Sequence, residues 1–373
     1  MNPPARRSGG AGSRLVPIGP LLALVAITLC LLAPAPAVAQ PPVAPSFFGV
    51  SGRHIDSRDV TDMEQAGVGT YRTLFHFRWA KRRDDGFYQW RTFDRMVGRM
   101  ATQGIELLPL LYGTPNWIYD DEATPPIHDR GAATEWVQLL RQLASRYGPG
   151  GLYWRLNPLV PYRPIRAWQI WNEPNSPKFW APTPNPAEYA ALLQLSARAI
   201  RSIDPGATIV SAGIVADPRG KGAIAGSDYL AELVSIPGAV EAMDKVGYHP
   251  YAENAPGVLA EIAAARKALR ASGLGGMPIW VTEFGWGANS LLESIFSKSP
   301  AGQAAALKRT YAGVLAKRDR LGVERLLWYY WRDQFDPLCI WCRSAGLLER
   351  WREPKPSFRT FQRLAAAAAR PRP

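Results

Sequence analysis

The chain has 373 residues, of which 47% are hydrophobic, and its formal net charge is +13. The apolar content is ample for a sizeable core. The basic residues are scattered singly and form no basic helix or nucleic-acid motif, so we expect no nucleic-acid partner, while an acidic polysaccharide remains possible.

The first 39 residues have the organisation of a secretory signal peptide, with a basic start, an apolar run and small residues at a cleavage site. We expect this segment to be removed, which lowers the net charge to +10 because three arginines leave with it. The mature protein is then secreted, without stable membrane association. Retention of the apolar run as an anchor is the alternative. The features are Arg6, Arg7 and Arg14, the run from Leu15 to Leu32, and Ala37-Val38-Ala39.

Segments typical of strands and helices alternate from residue 46 onwards and make eight strand-then-helix units. The strands are apolar on both faces, which is typical of a parallel sheet covered by helices. We therefore predict an α/β fold, a (β/α)8 TIM barrel forming a single domain over residues 40–370. A doubly wound open sheet is the alternative, but no glycine-rich phosphate loop follows the first strand.

The expected strands are 46–50, 70–77, 105–112, 165–171, 208–212, 245–249, 279–282 and 325–331. The expected helices are 60–67, 93–100, 133–147, 187–203, 229–236, 258–271, 301–321 and 358–368.

Only two cysteines remain after removal of the first 39 residues, Cys339 and Cys342. A C-x-x-C pair in an exported chain predicts a small loop closed by a disulfide. A zinc site is disfavoured because no second pair of ligands lies nearby. We expect neither a metal nor another cofactor.

Two glutamates follow apolar strands at the expected mouth of the barrel. Glu173 follows strand four and Glu283 follows strand seven, 110 positions later. The carboxyl ends of barrel strands converge on one mouth, so the two side chains are expected to face each other. Hydrolysis of a glycosidic bond requires such a pair, one protonated and one ionised. A lone glutamate after a strand is usually a helix cap or a surface charge, but two in this arrangement indicate catalysis.

The surrounding residues resemble two motifs of glycoside hydrolase clan A. The segment Ala167-Trp168-Gln169-Ile170-Trp171-Asn172-Glu173-Pro174-Asn175 resembles the Asn-Glu-Pro signature of strand four, and Trp280-Val281-Thr282-Glu283-Phe284-Gly285-Trp286 resembles the strand-seven motif. Within the clan, the chain looks most like families 39 and 5 over roughly residues 46 to 366. The resemblance implies Glu173 as acid/base and Glu283 as nucleophile of a retaining enzyme.

The resemblance also implies four polar partners around these glutamates. Asn172 is expected to hold the sugar 2-hydroxyl, and Arg72 to hydrogen-bond Glu283 and keep it ionised. His249 and Tyr251 match a His-x-Tyr pattern at the end of strand six, and one of the two is expected to orient Glu283.

Aromatic residues are expected to contact the sugar, since a flat ring stacks on the apolar face of a pyranose. Trp331 ends strand eight, where the clan places an aromatic floor. Trp117 and Trp286 are candidate walls, with simple packing as the alternative for each, and His76 at the end of strand two is a further candidate.

We therefore expect a monomeric hydrolase that cleaves O-glycosidic, β-linked bonds of a polysaccharide or oligosaccharide. A catalytically inactive carbohydrate-binding barrel of the cell envelope is the alternative. The sequence does not identify the sugar or distinguish endo from exo cleavage.

Overall fold

The computed structural model describes residues 42–53, 55–290, 294–336 and 339–370. The predicted signal peptide therefore lies outside the described residues. The strands are β1 Phe48–Ser51, β2 Thr70–His76, β3 Glu106–Tyr112, β4 Ala167–Ile170, β5 Thr208–Val210, β6 Ile214–Val215, β7 Val246–His249, β8 Ile279–Phe284, β9 Gly287–Ala288, β10 Ser297–Lys298 and β11 Val323–Tyr329.

The α-helices cover the sheet between these strands, and none in the described segments is both long and apolar enough to cross a bilayer. They are α1 Ser57–Gln65, α2 Phe77–Ala80, α3 Arg91–Thr102, α4 Arg130–Tyr147, α5 Leu152–Leu156, α6 Pro186–Arg201, α7 Gly226–Ser235, α8 Ala255–Ala271, α9 Pro300–Ala316, α10 Arg318–Leu321 and α11 Pro356–Ala368.

Nine of the strands form one parallel sheet in the order β5-β4-β3-β2-β1-β11-β8-β7-β6. Its two end strands are separated by only three residues of chain, 211–213. Val210 also bridges to Lys245 beside β7, and Gly213 bridges to Asn172 beside β4. The sheet therefore curls back on itself, as in a barrel, and the α/β prediction is confirmed.

The core lies on both sides of this sheet. A large buried set joins strand residues to helix residues such as Trp136 and Tyr311. A smaller buried set draws only on strands, namely Leu108, Val210, Trp280 and Leu327. Because every strand of the curled sheet is mostly buried, a polar side chain inside a strand must find a polar partner or lose free energy.

Several helices begin where the sequence supplies a capping side chain and a proline. Asn185 accepts hydrogen bonds from two amides at the start of α6, and Asn254 and Ser299 each accept one at the starts of α8 and α9. In each, a proline occupies one of the first two helical positions, where its missing N–H costs nothing.

Several element boundaries differ from the prediction. The expected strand 208–212 ends at Val210, with a separate two-residue strand β6 following at Ile214–Val215, and the expected helix 301–321 is broken at Lys317 into α9 and α10. The expected strand 325–331 begins and ends two residues earlier, at Val323 and Tyr329. The last difference changes which aromatic residues reach the mouth of the sheet.

Candidate active site

The structure brings the two predicted glutamates together at one cavity of about 600 Å³. Glu173 follows β4, and Glu283 lies within β8 one residue before its end. One oxygen of each carboxyl and one nitrogen of His249 lie within 4.8 Å of one another. The pair is therefore close enough to act on a single bond.

The chain makes a tight turn where β4 ends. Trp171 and Glu173 have φ angles of 70° and 40°, in the left-handed region that non-glycine residues rarely adopt. The amide of Trp171 donates to Leu111 at 2.8 Å, and that of Glu173 donates to Gly213 at 3.1 Å. These bonds stabilise a conformation that costs on the order of 1 kcal/mol per residue, and Asn172 and Glu173 both line the cavity.

Glu283 is buried, with 7% of its surface exposed, and both of its oxygens accept hydrogen bonds. Arg72 donates to one oxygen, and the Tyr251 hydroxyl donates to the other at 2.8 Å. Burial alone raises the pKa of this carboxyl, but the charges of His249 and Arg72 and the two hydrogen bonds outweigh burial and lower it below its ordinary value. Glu283 is therefore held ionised.

Glu173 has a different environment. It is more exposed than Glu283, and Nδ1 of His249 lies 2.8 Å from its Oε1. The other ring nitrogen of His249 lies 3.0 Å from the Thr282 hydroxyl. His249, left as one of two candidates to orient Glu283, therefore contacts Glu173, while Tyr251 is the residue that hydrogen-bonds Glu283.

Arg72 joins the two halves of the site. Besides Glu283, its guanidinium donates to Asn172 at 2.9 Å and to the side chain of Gln169. Gln169 in turn donates to the Thr282 hydroxyl at 3.2 Å and to a backbone carbonyl. Asn172 accepts from Arg72 through its oxygen, which directs its amide nitrogen away from the arginine, so that nitrogen remains a possible donor to a ligand.

Gly213 leaves space for the ring of His249. A Cβ atom on this residue would lie 1.9 Å from Nε2 of His249. No side chain fits there, so the chain between β5 and β6 approaches the imidazole as only glycine can.

The cavity has an aromatic side and a charged rim. Its aromatic lining is Tyr112, Phe179, Tyr251, Phe296, Tyr329, Tyr330 and Trp341. Its charged lining, apart from the residues already described, is Arg53, Glu122, Lys178, Asp217, Arg219 and Asp336. Burial raises the pKa of Tyr251 and Tyr330 well above the ordinary value, so both keep their hydroxyl protons as donors.

Trp331 does not form the expected floor of the site. It is fully buried outside the cavity, where its indole nitrogen donates to Asp59 at 3.2 Å and its ring packs against Phe358. Strand β11 ends at Tyr329, so the alternation of faces that would have directed Trp331 inward stops before it. Tyr329 and Tyr330 line the cavity instead.

Three other candidates pack behind the site rather than line it. The indole of Trp286 is fully buried and donates to the carbonyl of Ala252 at 2.9 Å. Trp117 is half-buried, and its indole donates to the carbonyl of Lys81 at 3.3 Å. His76 is buried with Nε2 at 3.0 Å from Glu122, so it contacts a rim residue and not the cavity itself.

Cys339 and Cys342 form a disulfide whose Cα atoms lie 5.2 Å apart. Both residues line the cavity, so this loop belongs to the site. Among the described residues, Glu173, His249 and Glu283 form the one group whose spacing would suit a metal ion. Arg72 and Tyr251 each hydrogen-bond one oxygen of Glu283, and the positive charge of Arg72 disfavours a metal cation beside it.

A second cavity, of about 730 Å³, opens at the amino ends of the strands. Its lining includes Glu106 and Arg325, which form an ion pair at 2.6 Å, but neither candidate glutamate. Residues that carry chemistry in a barrel lie at the carboxyl ends of the strands. The cavity of about 600 Å³, which Glu173 and Glu283 line, is therefore the candidate active site.

Gln169, Thr282 and Gly213 contribute to the site but were not predicted from the sequence. The first two carried a usable signal, because each is a polar residue inside an otherwise apolar strand and so requires a buried partner. Gly213 carried none, since its role depends on the approach of a ring 36 positions away. The tyrosines at the end of β11 and Trp341 were missed because they depend on where that strand ends.

Solved structures of glycoside hydrolases share this fold. They include a family 39 glycoside hydrolase from the gut symbiont Bacteroides cellulosilyticus, with 20% identity and a TM-score of 0.60 over 87% of this chain. A monomeric β-xylosidase from Caulobacter crescentus has 19% identity and a TM-score of 0.65 over 88% of this chain. A glucosidase from Croceicoccus marinus has 13% identity and a TM-score of 0.65 over 90% of this chain.

The chain spans 65%, 69% and 70% of the lengths of those three proteins, respectively. No protein-family model matches its sequence, and no curated protein matches it. At these identities the likeness shows the fold alone, which this chain shares with these glycoside hydrolases.

Proposed function

We propose that the chain is a secreted retaining glycoside hydrolase with a (β/α)8 barrel as a single domain, in which Glu283 is the nucleophile and Glu173 the acid/base. Its substrate is a polysaccharide or oligosaccharide with β-linked O-glycosidic bonds. The observation that carries the proposal is the pair itself: oxygens of the two carboxyls lie within 4.8 Å. A separation of about 5 to 5.5 Å belongs to the retaining mechanism, whereas inverting enzymes leave room for a water molecule.

In the first step, an oxygen of Glu283 attacks the anomeric carbon as the glycosidic C–O bond breaks. Glu173 gives its proton to the departing oxygen, so the leaving group departs as an alcohol. Arg72 and Tyr251 keep Glu283 ionised before the attack. The amide nitrogen of Asn172 is the donor to the sugar 2-hydroxyl, a contact that strengthens in the transition state.

In the second step, Glu173 takes a proton from water while the water oxygen attacks the anomeric carbon and releases Glu283. His249 suits this exchange. Its Nδ1 lies 2.8 Å from Oε1 of Glu173, and its Nε2 lies 3.0 Å from the Thr282 hydroxyl. A hydrogen on Nδ1 donates to Glu173 and stabilises the carboxylate form that acts as a base.

The solved neighbours support a β-linked substrate, because they include a β-xylosidase and an exo-β-1,4-mannosidase. The proposed export rests on the predicted signal peptide.

The first test is the stereochemistry of the product. An NMR time course on an aryl β-glycoside is expected to show the β anomer as the first product, because two displacements at one carbon restore its configuration. The α anomer as the first product would exclude Glu283 as a nucleophile and require both roles to be reassigned.

The second test separates the two glutamates. Glu283→Ala is expected to abolish turnover of every substrate. Glu173→Ala is expected to retain more turnover on aryl glycosides with good leaving groups, and azide is expected to accelerate it by forming a β-glycosyl azide. A fluorinated sugar that slows the second step is expected to label Glu283, as peptide mapping would show. A label on Glu173 would reverse the assignment. Glycan binding without turnover on any substrate would favour an inactive carbohydrate-binding barrel.

A further inference from the structure

The loop that follows β11 brings an aromatic ring to the cavity. Residues 339–344, the disulfide loop, contain the Cys339–Cys342 bond and a short 3₁₀ helix over Trp341–Ser344. Trp341 is half-buried and lines the cavity between the two half-cystines. The mechanism proposed above does not use this residue.

The ring of Trp341 lies one side chain away from the proposed nucleophile. Its centroid is 5.5 Å from that of Tyr251, whose hydroxyl donates to Glu283 at 2.8 Å. On another side it is stacked with Phe296, with centroids 4.9 Å apart and ring planes 28° apart. A ring in this place borders the space where a sugar must lie if its anomeric carbon is to reach Glu283.

The loop is held in this position from several directions. Asp336 accepts a hydrogen bond from the amide of Cys339 at 3.0 Å and another from the hydroxyl of Tyr330 at 2.8 Å. Strand β9 also approaches closely, because a Cβ on Gly287 would lie 2.4 Å from the carbonyl oxygen of Trp341. The disulfide adds a covalent restraint on both sides of the tryptophan.

We propose that Trp341 is a sugar-stacking wall of the substrate site and that the Cys339–Cys342 disulfide holds it in place. An indole offers a large, rigid apolar surface to the C–H face of a pyranose. Only a ring fixed beforehand offers this surface without an ordering cost on binding. The ligand is a carbohydrate, which rests on the proposed function. Trp341 thus has the sugar-stacking role that was predicted for Trp331 from the sequence.

The test measures binding in the Glu283→Gln background, where turnover does not interfere. The probe is whichever of the β-linked xylo-, gluco-, manno- and galacto-oligosaccharides binds this variant most tightly by calorimetry. Adding Trp341→Ala is expected to weaken binding roughly tenfold or more, and Trp341→Phe is expected to recover part of the loss. Trp351→Ala is the matched control, since Trp351 is 77% exposed and does not line the cavity.

The disulfide is tested in the same background. Replacing both cysteines by serine is expected to weaken binding in the same direction as Trp341→Ala. Dithiothreitol, which reduces the bond to two thiols, is expected to weaken oligosaccharide binding by the Glu283→Gln parent. It is expected to leave binding by the double serine variant unchanged. Equal affinities of the parent, the double serine variant and the reduced parent would overturn the role of the disulfide.

Oxidation of the folded parent by N-bromosuccinimide gives a readout that does not depend on how any variant folds. Saturating oligosaccharide is expected to protect Trp341, but not Trp351, as peptide mapping shows. Equal oxidation of Trp341 with and without sugar, unchanged affinity of Trp341→Ala, or no binding of any oligosaccharide would overturn the stacking wall. Binding that depends on Trp341 in a protein without hydrolytic activity would instead overturn only the proposed function.

Discussion

Replacing Tyr251 by phenylalanine isolates one hydrogen bond of the site. The hydroxyl donates to Oε2 of Glu283 at 2.8 Å, and Glu283 is only 7% exposed, so water replaces the lost donor poorly. A hydrogen bond to a charged group is worth about 1.5 to 3 kcal/mol. Since about 1.4 kcal/mol corresponds to a factor of ten in rate, we expect kcat/KM to fall roughly 10- to 100-fold.

The pH profile of the Tyr251→Phe variant provides the more specific readout. Glu283 must be ionised to attack, so its lowered pKa places the acidic limb of kcat/KM below the ordinary range of a glutamate. Burial, the largest influence on this carboxyl, raises its pKa, and the Tyr251 hydroxyl is one of the contacts that oppose burial. Loss of the hydroxyl is therefore expected to move the acidic limb to higher pH.

Tyr248→Phe is the matched control for this experiment. It removes the same atom three positions earlier, from a buried hydroxyl for which the described residues provide no hydrogen-bond partner. We expect it to leave kcat/KM and the acidic limb unchanged. If Tyr251→Phe behaves like Tyr248→Phe in both respects, while its melting temperature shows an intact fold, then Tyr251 does not hold Glu283 ionised and the electrostatic account of the nucleophile is wrong.

Three further predictions concern other parts of the site. Gly213→Ala should lower kcat roughly 100-fold, because the new Cβ displaces His249 and a shift of about 1 Å is costly; wild-type kinetics would contradict this. Thiol titration of the unfolded protein should find the Cys339–Cys342 thiols only after reduction, with little change in melting temperature on reduction, since the closed loop is very short. EDTA should leave turnover unchanged, and inhibition reversed by a divalent cation would contradict a mechanism without metal.

Much of the fold was predictable because long, apolar strands are separated by capped helices. The strand over 105–112 and the helix over 258–271 were predicted to within three residues of their observed bounds. The β9–β10 ribbon was missed because two-residue strands leave no periodic pattern. The separate strand β6 was missed for the same reason, because it has only two residues.

The site residues that belong to a sequence motif could be predicted. The contacts between side chains could not, because they depend on distances in the folded chain. Glu173 and Glu283 were expected to meet, and the structure brings them together. The choice between His249 and Tyr251 as the partner of Glu283 needed distances, since the two are separated by one residue and lie at the same strand end. Trp331 was misplaced because one strand ends two residues before the position that the apolar pattern suggests.

The environments of the two glutamates favour the proposed assignment of their roles over the reverse. Arg72, 3% exposed, cannot lose its charge, so the carboxyl that it contacts cannot store a proton for the leaving group without leaving a buried cation unpaired. This contact favours Glu283 as the ionised nucleophile of the proposed mechanism. Glu173 instead has His249 as its hydrogen-bond partner, at 2.8 Å, and Nδ1 of the same ring lies 3.8 Å from Glu283. Because the described contacts of Glu173 include no arginine, its carboxyl can take up and release a proton without leaving a buried guanidinium unpaired, as the proposed acid/base must.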